Sequence, residues 1–111
     1  MVTVPPDSEL VYLSGQLGVD INGVAPGGIA EQADLVFGNI VALLVSQQLS
    51  VRDLVKLTTF MVAGEDGAAV RRARLKHLGD HRPASTAVYV AQLVDPAWLV
   101  EVEAIACRSV P

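Results

Sequence analysis

Residues 9–19, ELVYLSGQLGV, alternate apolar and polar side chains, the period-two pattern of a half-buried strand, with Leu10, Tyr12 and Ser14 facing one way. Asn22-Gly23 follows, and because both residues tolerate positive φ the pair predicts a hairpin turn. APGG (25–28) breaks the pattern. From about Ile29 to Gln48 apolar residues recur at helical spacing: Ala33, Val36, Phe37, Ile40, Val41 and Leu44 form a broad stripe suited to lying on a sheet. Ser50 stands three residues before Asp53, spaced to cap a short turn. VKLTTFMVA (55–63) is rich in β-branched and aromatic residues and reads as a strand. Asp66 is placed to cap a second helix, about Gly67 to Leu78, which Gly79 closes. STAVYVAQL (85–93) and WLVEVEAIACR (98–108) supply the last two strands. In the final one Glu101, Glu103, Ile105 and Cys107 share one face, and Val100, Val102, Ala104 and Ala106 share the other.

The predicted order is β-β-α-β-α-β-β, an α+β domain with a mixed sheet and two helices on one face. The other sheet face is left for partner subunits. With no repeat, linker or low-complexity tract, the 111 residues form one domain, 1–111. Apolar residues make up 51% of the chain and charged residues 18%. A domain this small struggles to hide so much aliphatic surface alone, which predicts an obligate homo-oligomer. Twelve acids against eight bases give a net charge of −4, the wrong sign for a phosphate-backbone partner. The run Arg71, Arg72, Arg74 and Lys76 reads as a solvated helix face, and no nucleic-acid partner is expected. The single cysteine, Cys107, leaves no internal disulfide and reads as a small buried hydrophobe. MVTVPPDSEL lacks the pattern of a signal peptide, and no run approaches 18 uninterrupted apolar residues. These features predict a cytoplasmic protein with no membrane contact.

Candidate chemistry is sparse. Glu101 and Glu103 are two acids in an otherwise aliphatic strand; burial statistics alone favour a solvent-exposed strand face, but they share that face with Ile105 and Cys107, which do not look solvated. An acid on a partly buried face needs a partner or has a raised pKa, and such a carboxylate can orient or deprotonate water. In LSGQL, Gly15 permits close approach of a ligand or backbone, and Ser14 reads as a hydrogen-bonding rather than an attacking serine. His77 and His81 are four apart, but Gly79 and Asp80 end the helix between them, so both read as structural and no metal site is expected. PGGIAEQ lacks a P-loop lysine and reads as an ordinary helix entry. HRPASTAVYV (81–90) has the outline of a binding lip, a basic residue and proline leading into small hydroxyl residues.

Four stretches in order, YLSGQLGVD (12–20), LVKLTTFMV (54–62), HRPASTAVYVAQL (81–93) and VEVEAIA (100–106), together resemble the Rid family of small YjgF-like proteins. SGQ and EVEAIA are the most specific pieces, and the resemblance covers nearly the whole chain. It implies a chorismate-mutase-like fold, a homotrimer with a small-metabolite cleft between subunits, and no cofactor. Active members are similar in hydrolysing enamines and imines, such as 2-aminoacrylate, to 2-keto acids and ammonia. The resemblance puts Glu101 in the place of a water-positioning glutamate, and Ser14, the residue before Gly15, in that of a site-lining serine. Ser85, followed by Thr86, occupies the place of an arginine that clamps the substrate carboxylate. Ala87 stands where some members have cysteine and Arg71 where some have asparagine, while an N-terminal tyrosine has no counterpart.

A charge-assisted bidentate pair is worth roughly 1.5–3 kcal/mol and a hydroxyl about half that or less. The resemblance therefore implies weak or absent 2-iminoacid deamination, unless Arg71 or Arg82, which flank the cleft in the family layout, restores the charge. Two readings stay open: a hydrolase adding water to a C=N bond with Glu101 handling the water, or a non-catalytic trimeric binding or scaffold protein. Endoribonuclease activity, attributed to some relatives, fits poorly with the acidic balance. Chorismate mutase chemistry needs cations for its dianionic substrate.

Overall fold

The computed structural model describes residues 1–109. Strand β1 (Glu9–Leu17) leads to helix α1 (Ile29–Ser46), and a single 3₁₀ turn (Val51–Asp53) enters β2 (Leu54–Val62). Helix α2 (Gly67–Leu78), β3 (Ala84–Val90) and β4 (Val100–Arg108) complete the chain. The sheet order is β1-β4-β2-β3, with β4 antiparallel to both neighbours and β2 parallel to β3. That parallel pair requires a crossover, which α2 supplies. The caps form as the residues predict. Ser50 and Asp53 make a reciprocal capping box, Asp66 accepts from the Ala68 N–H, and Gly79 closes α2 at φ 62°.

The fold class is the expected mixed α+β sheet, but one predicted strand is absent. Asn22-Gly23 does turn the chain: Gly23 adopts φ 77°, and the Asp20 side chain accepts from the Asn22 and Val24 N–H groups. The return segment then meets Pro26, which has no N–H to give a ladder, and runs irregularly to α1. The order is therefore β-α-β-α-β-β. β1 ends at Leu17 rather than Val19, α1 at Ser46 rather than Gln48, and β3 at Val90 rather than Leu93.

Helix α1 packs against α2, β1 and β4 on one side of the sheet. Its stripe Ala33, Val36, Phe37, Ile40 and Leu44 is fully buried on Leu54 and Leu57 of β2 and Val100, Val102 and Ala106 of β4. By length and composition α1 is apolar enough to cross a bilayer, but here that stripe is occupied by the sheet. On the opposite sheet face Tyr12 is 70% exposed, with Leu10, Glu103 and Val88 also open.

One buried polar side chain ties the loops to α1. Gln32 is wholly inaccessible, yet its Nε2 donates to the carbonyls of Pro26 (2.7 Å) and Ala97 (2.9 Å), and its Oε1 accepts from the Leu99 N–H (2.8 Å). Gly18 lies flat on the same turn of helix, where a Cβ would sit 2.4 Å from the Gln32 carbonyl oxygen. The two helices are joined through Asp34, whose Oδ1 accepts from Lys76 Nζ and His77 Nε2, each at 2.8 Å. The hydrogen bonds from Lys76 and then His77 hold the Asp34 carboxyl below the usual carboxylate range.

Replacing Gln32 by alanine orphans one N–H and two carbonyls, and should cost about 3 kcal/mol or more in urea unfolding, whereas a loss under about 1 kcal/mol would show that water replaces the amide. Because the folded pKa of Asp34 lies below its unfolded value, its contribution is complete above the ordinary carboxylate range and lost as pH falls through the folded value. Asp34 is half-exposed, so Asp34→Asn should cost no more than about 1 kcal/mol at neutral pH. The gap from the wild type should close in acid titration of stability; a pH-independent gap would contradict this linkage.

Candidate functional site

The expected site residues fall into two groups. The first is built by an irregularity in β1. Its ladder with β4 pairs Leu13 with Ala104 and then Gln16 with Val102, so Ser14 and Gly15 together face one residue, Glu103. Such a bulge bends a strand edge and re-aims the side chains beyond it. The Gln16 amide braces it by donating to the Ser14 carbonyl at 3.0 Å. Glu101, half-buried, lies directly over Gly15: a Cβ there would stand 2.1 Å from Glu101 Oε1. Close approach is what requires glycine at position 15.

Glu101 pairs in register with Leu17 of β1 and Phe60 of β2, which leaves its carboxylate on the open face. Among the described residues its oxygens have no side-chain hydrogen-bond or ion-pair partner. Both can therefore accept from a water. The Ser14 side chain is exposed. It borders a cavity of about 310 Å³ between β1 and the end of α1, beside Tyr12 and Gln47, and Glu101 does not line that cavity.

The second group sits between α2 and β3, in a cavity of about 180 Å³. Phe37, Thr59, Met61 and Val70 form its walls, Arg71 and Arg74 come from α2, and Ser85 and Ala87 from β3. Arg74 Nη1 donates to Ser85 Oγ at 3.5 Å. Burial first, then the charges of Arg82 and Arg71, push the Arg74 guanidinium below its ordinary pKa. Arginine nevertheless stays protonated at neutral pH.

Two expected ligand-binding residues are placed elsewhere. Strand alternation sends Thr86 to the opposite face from Ser85, where it accepts from Lys56 Nζ at 2.7 Å. Arg82 is turned to the backbone, its Nη1 donating to the carbonyls of Gly79 (2.7 Å) and His81 (3.1 Å), and it does not line the cavity. The histidines have separate structural partners, Asp34 for His77 and the Leu54 carbonyl for His81.

Arg74 is the site residue that sequence reasoning misses, because it stands in a run that reads as solvated. A usable signal is present: Arg74 lies four residues after the buried Val70, on the helix face turned to the sheet. The chain thus unites Glu101 with Gly15, and Ser85 with Arg71 and Arg74. It does not unite the two groups, because Glu101 is on the open face and Ser85 on the helix-covered face, with β2 between their strands.

The endoribonuclease L-PSP family model matches residues 4–108. TdcF of Escherichia coli K12 is 35% identical over 105 residues, which cover 91% of this chain and 81% of TdcF. The crystal structure of E. coli TdcF with bound serine superposes with a TM-score of 0.82 at 33% identity, covering 96% of this chain and 85% of that one. The 2-iminobutanoate/2-iminopropanoate deaminase of Capra hircus is 34% identical, with 89% of this chain and 73% of the deaminase covered. RidA from Psychrobacter sp. PAMC 21119 matches with a TM-score of 0.81 at 34% identity, covering 95% and 83% of the two chains. With its α+β sheet, its SGQ bulge and its final acidic strand, the chain belongs to the endoribonuclease L-PSP family, the Rid or YjgF-like proteins.

Proposed function

We propose that this protein hydrolyses the C=N bond of small imines, and of the enamines that tautomerise to them, with Glu101 placing the attacking water. The observation that carries this reading is the Glu101 carboxylate lying over Gly15, half-buried and without a side-chain partner among the described residues. Water bound there adds its oxygen to the imine carbon while the nitrogen gains a proton, giving a carbinolamine. The C–N bond then breaks as the hydroxyl loses its proton, and ammonia leaves behind a carbonyl. Glu101 accepts the proton from water and can return it to the departing nitrogen. The deaminase name of the Capra hircus relative supports the same chemistry.

The complete site is proposed to form between copies. Glu101 and Ser85 sit on opposite faces of one sheet, so an acid edge from one protomer must meet the α2–β3 rim of the next for both to touch one substrate. A homotrimer with three such clefts would cover Tyr12, Leu10 and Val88, which one protomer leaves exposed. A head-to-tail ring of this kind uses two different patches at each contact, which the two separate groups provide.

Glu101→Gln should lower kcat for 2-aminoacrylate hydrolysis by about 10²-fold with KM little changed. Gly15→Ala, which displaces the carboxylate without removing it, should lose activity to a similar extent while circular dichroism stays native. A fully active Glu101→Gln, or a wild-type rate no higher than buffer toward 2-aminoacrylate and toward larger imines alike, would instead identify a non-catalytic binding or scaffold protein.

A further inference from the structure

We infer that Arg74 and Arg71 form an anion seat in the cavity between α2 and β3, and that this seat selects ligands with two carboxylates. On the hydrolase reading, on which the naming of substrates rests, these are the imines of dicarboxylic amino acids.

The charge pattern is the first support. The chain has six arginines. Arg52, Arg72 and Arg108 are paired with Asp80, Asp66 and Glu9. Among the described residues, Arg71, Arg74 and Arg82 have no acidic partner within ion-pair distance, and the charges of Arg82 and Arg71 both bear on Arg74. A chain with four more acids than bases had carboxylates to spare, yet none is placed here. Arg74 is partly buried beside two like charges, and a bound anion relieves both penalties.

The geometry is the second support. Arg74 is held at the rim by a long, 3.5 Å contact to the neutral Ser85 hydroxyl, which orients one nitrogen without neutralising the group. The rest of its planar fork stays available for a carboxylate. Arg71 lines the same cavity one turn earlier on α2, and side chains three residues apart on a helix have Cβ atoms about 5–6 Å from each other. That spacing suits two carboxylates separated by a short methylene bridge. The walls of Phe37, Met61 and Val70 fit such a bridge, and the cavity admits only a small ligand. A single carboxylate would leave the second guanidinium uncompensated, and Arg82 behind adds to the surplus. Where the family resemblance implies an arginine at position 85, this chain has Ser85, and the facing helix offers Arg74 beside it.

Calorimetric titration with succinate, propionate and inorganic phosphate tests the seat without requiring turnover. Succinate should bind at least about tenfold more tightly than propionate, and Arg74→Ala should remove about tenfold or more of that affinity. Arg72→Ala, which deletes the same charge from the same helix outside the cavity, should change it less than about twofold. Arg74→Lys, keeping charge but not the fork, should fall between wild type and Arg74→Ala, which separates the seat from misfolding. Equal affinity for succinate and propionate, or equal losses in Arg72→Ala and Arg74→Ala, would overturn the proposal. So would phosphate binding more tightly than succinate.

A second arm follows imine decay, with imines made in situ from aspartate or alanine by an amino-acid oxidase. The aspartate imine should be preferred in kcat/KM, and Arg74→Ala should abolish that preference mainly through KM. Turnover with no preference, unmoved by Arg74→Ala, sinks the seat and leaves the hydrolase reading standing. Succinate binding as expected with no turnover of either imine does the reverse.

Discussion

The alternation of β4 is the constraint on which the rest depends. Val100, Val102, Ala104 and Ala106 are packed beneath the helices, and burying each valine side chain contributes roughly 1.5–3 kcal/mol. A slip of one residue would turn these outward and press Glu101 and Glu103 into the aliphatic core, where an unpaired carboxylate is strongly disfavoured. The register is therefore locked, and Glu101 is committed to the open face. The same rule acting on β3 commits Ser85 to the helix-covered face and Thr86 to the other. The separation of the two groups is a consequence of how the core is buried.

Each group is held by its own local device. Gly15, in the β1 bulge, leaves the space into which the Glu101 carboxylate folds. In the other group, α2 is tied to α1 through Asp34, and this fixes the helix that presents Arg71 and Arg74. Gln32 performs the matching task for the loops around residues 26 and 97–99, the second of which leads directly into β4. Among the described residues, Glu101 on one face and Arg71 and Arg74 on the other are left without an ion-pair partner.

What could be read in the residues was what local rules govern. The span of α2 with its Asp66 and Gly79 ends, the Ser50–Asp53 box and the two faces of β4 all follow from spacing and capping chemistry. The missing return strand after Asn22-Gly23 shows where that logic ends: the turn forms, but Pro26 and the pull of α1 deny the chain a ladder. Gln32 was unreadable because its partners lie up to 67 residues away. The approach of Glu101 to Gly15 depends on the pairing of β1 with β4, which no single segment specifies. Arg74 is obscured for a related reason. Four basic residues in a run look equally solvated until the helix is docked, and only then does Arg74 reach Ser85 across the cavity rim.

If two chains complete each site, mixed assemblies of crippled subunits reveal it most directly. Chains carrying Glu101→Gln and chains carrying Arg74→Ala, each reduced to about a tenth or less of the wild-type kcat/KM toward the aspartate imine, are mixed in equal amounts under conditions that allow exchange, and turnover is read at low substrate concentration. About one interface in four then joins an intact acid to an intact guanidinium, so activity should climb to roughly a quarter of the wild-type value. A mixture that shows only the average of its two impaired components would contradict the shared site.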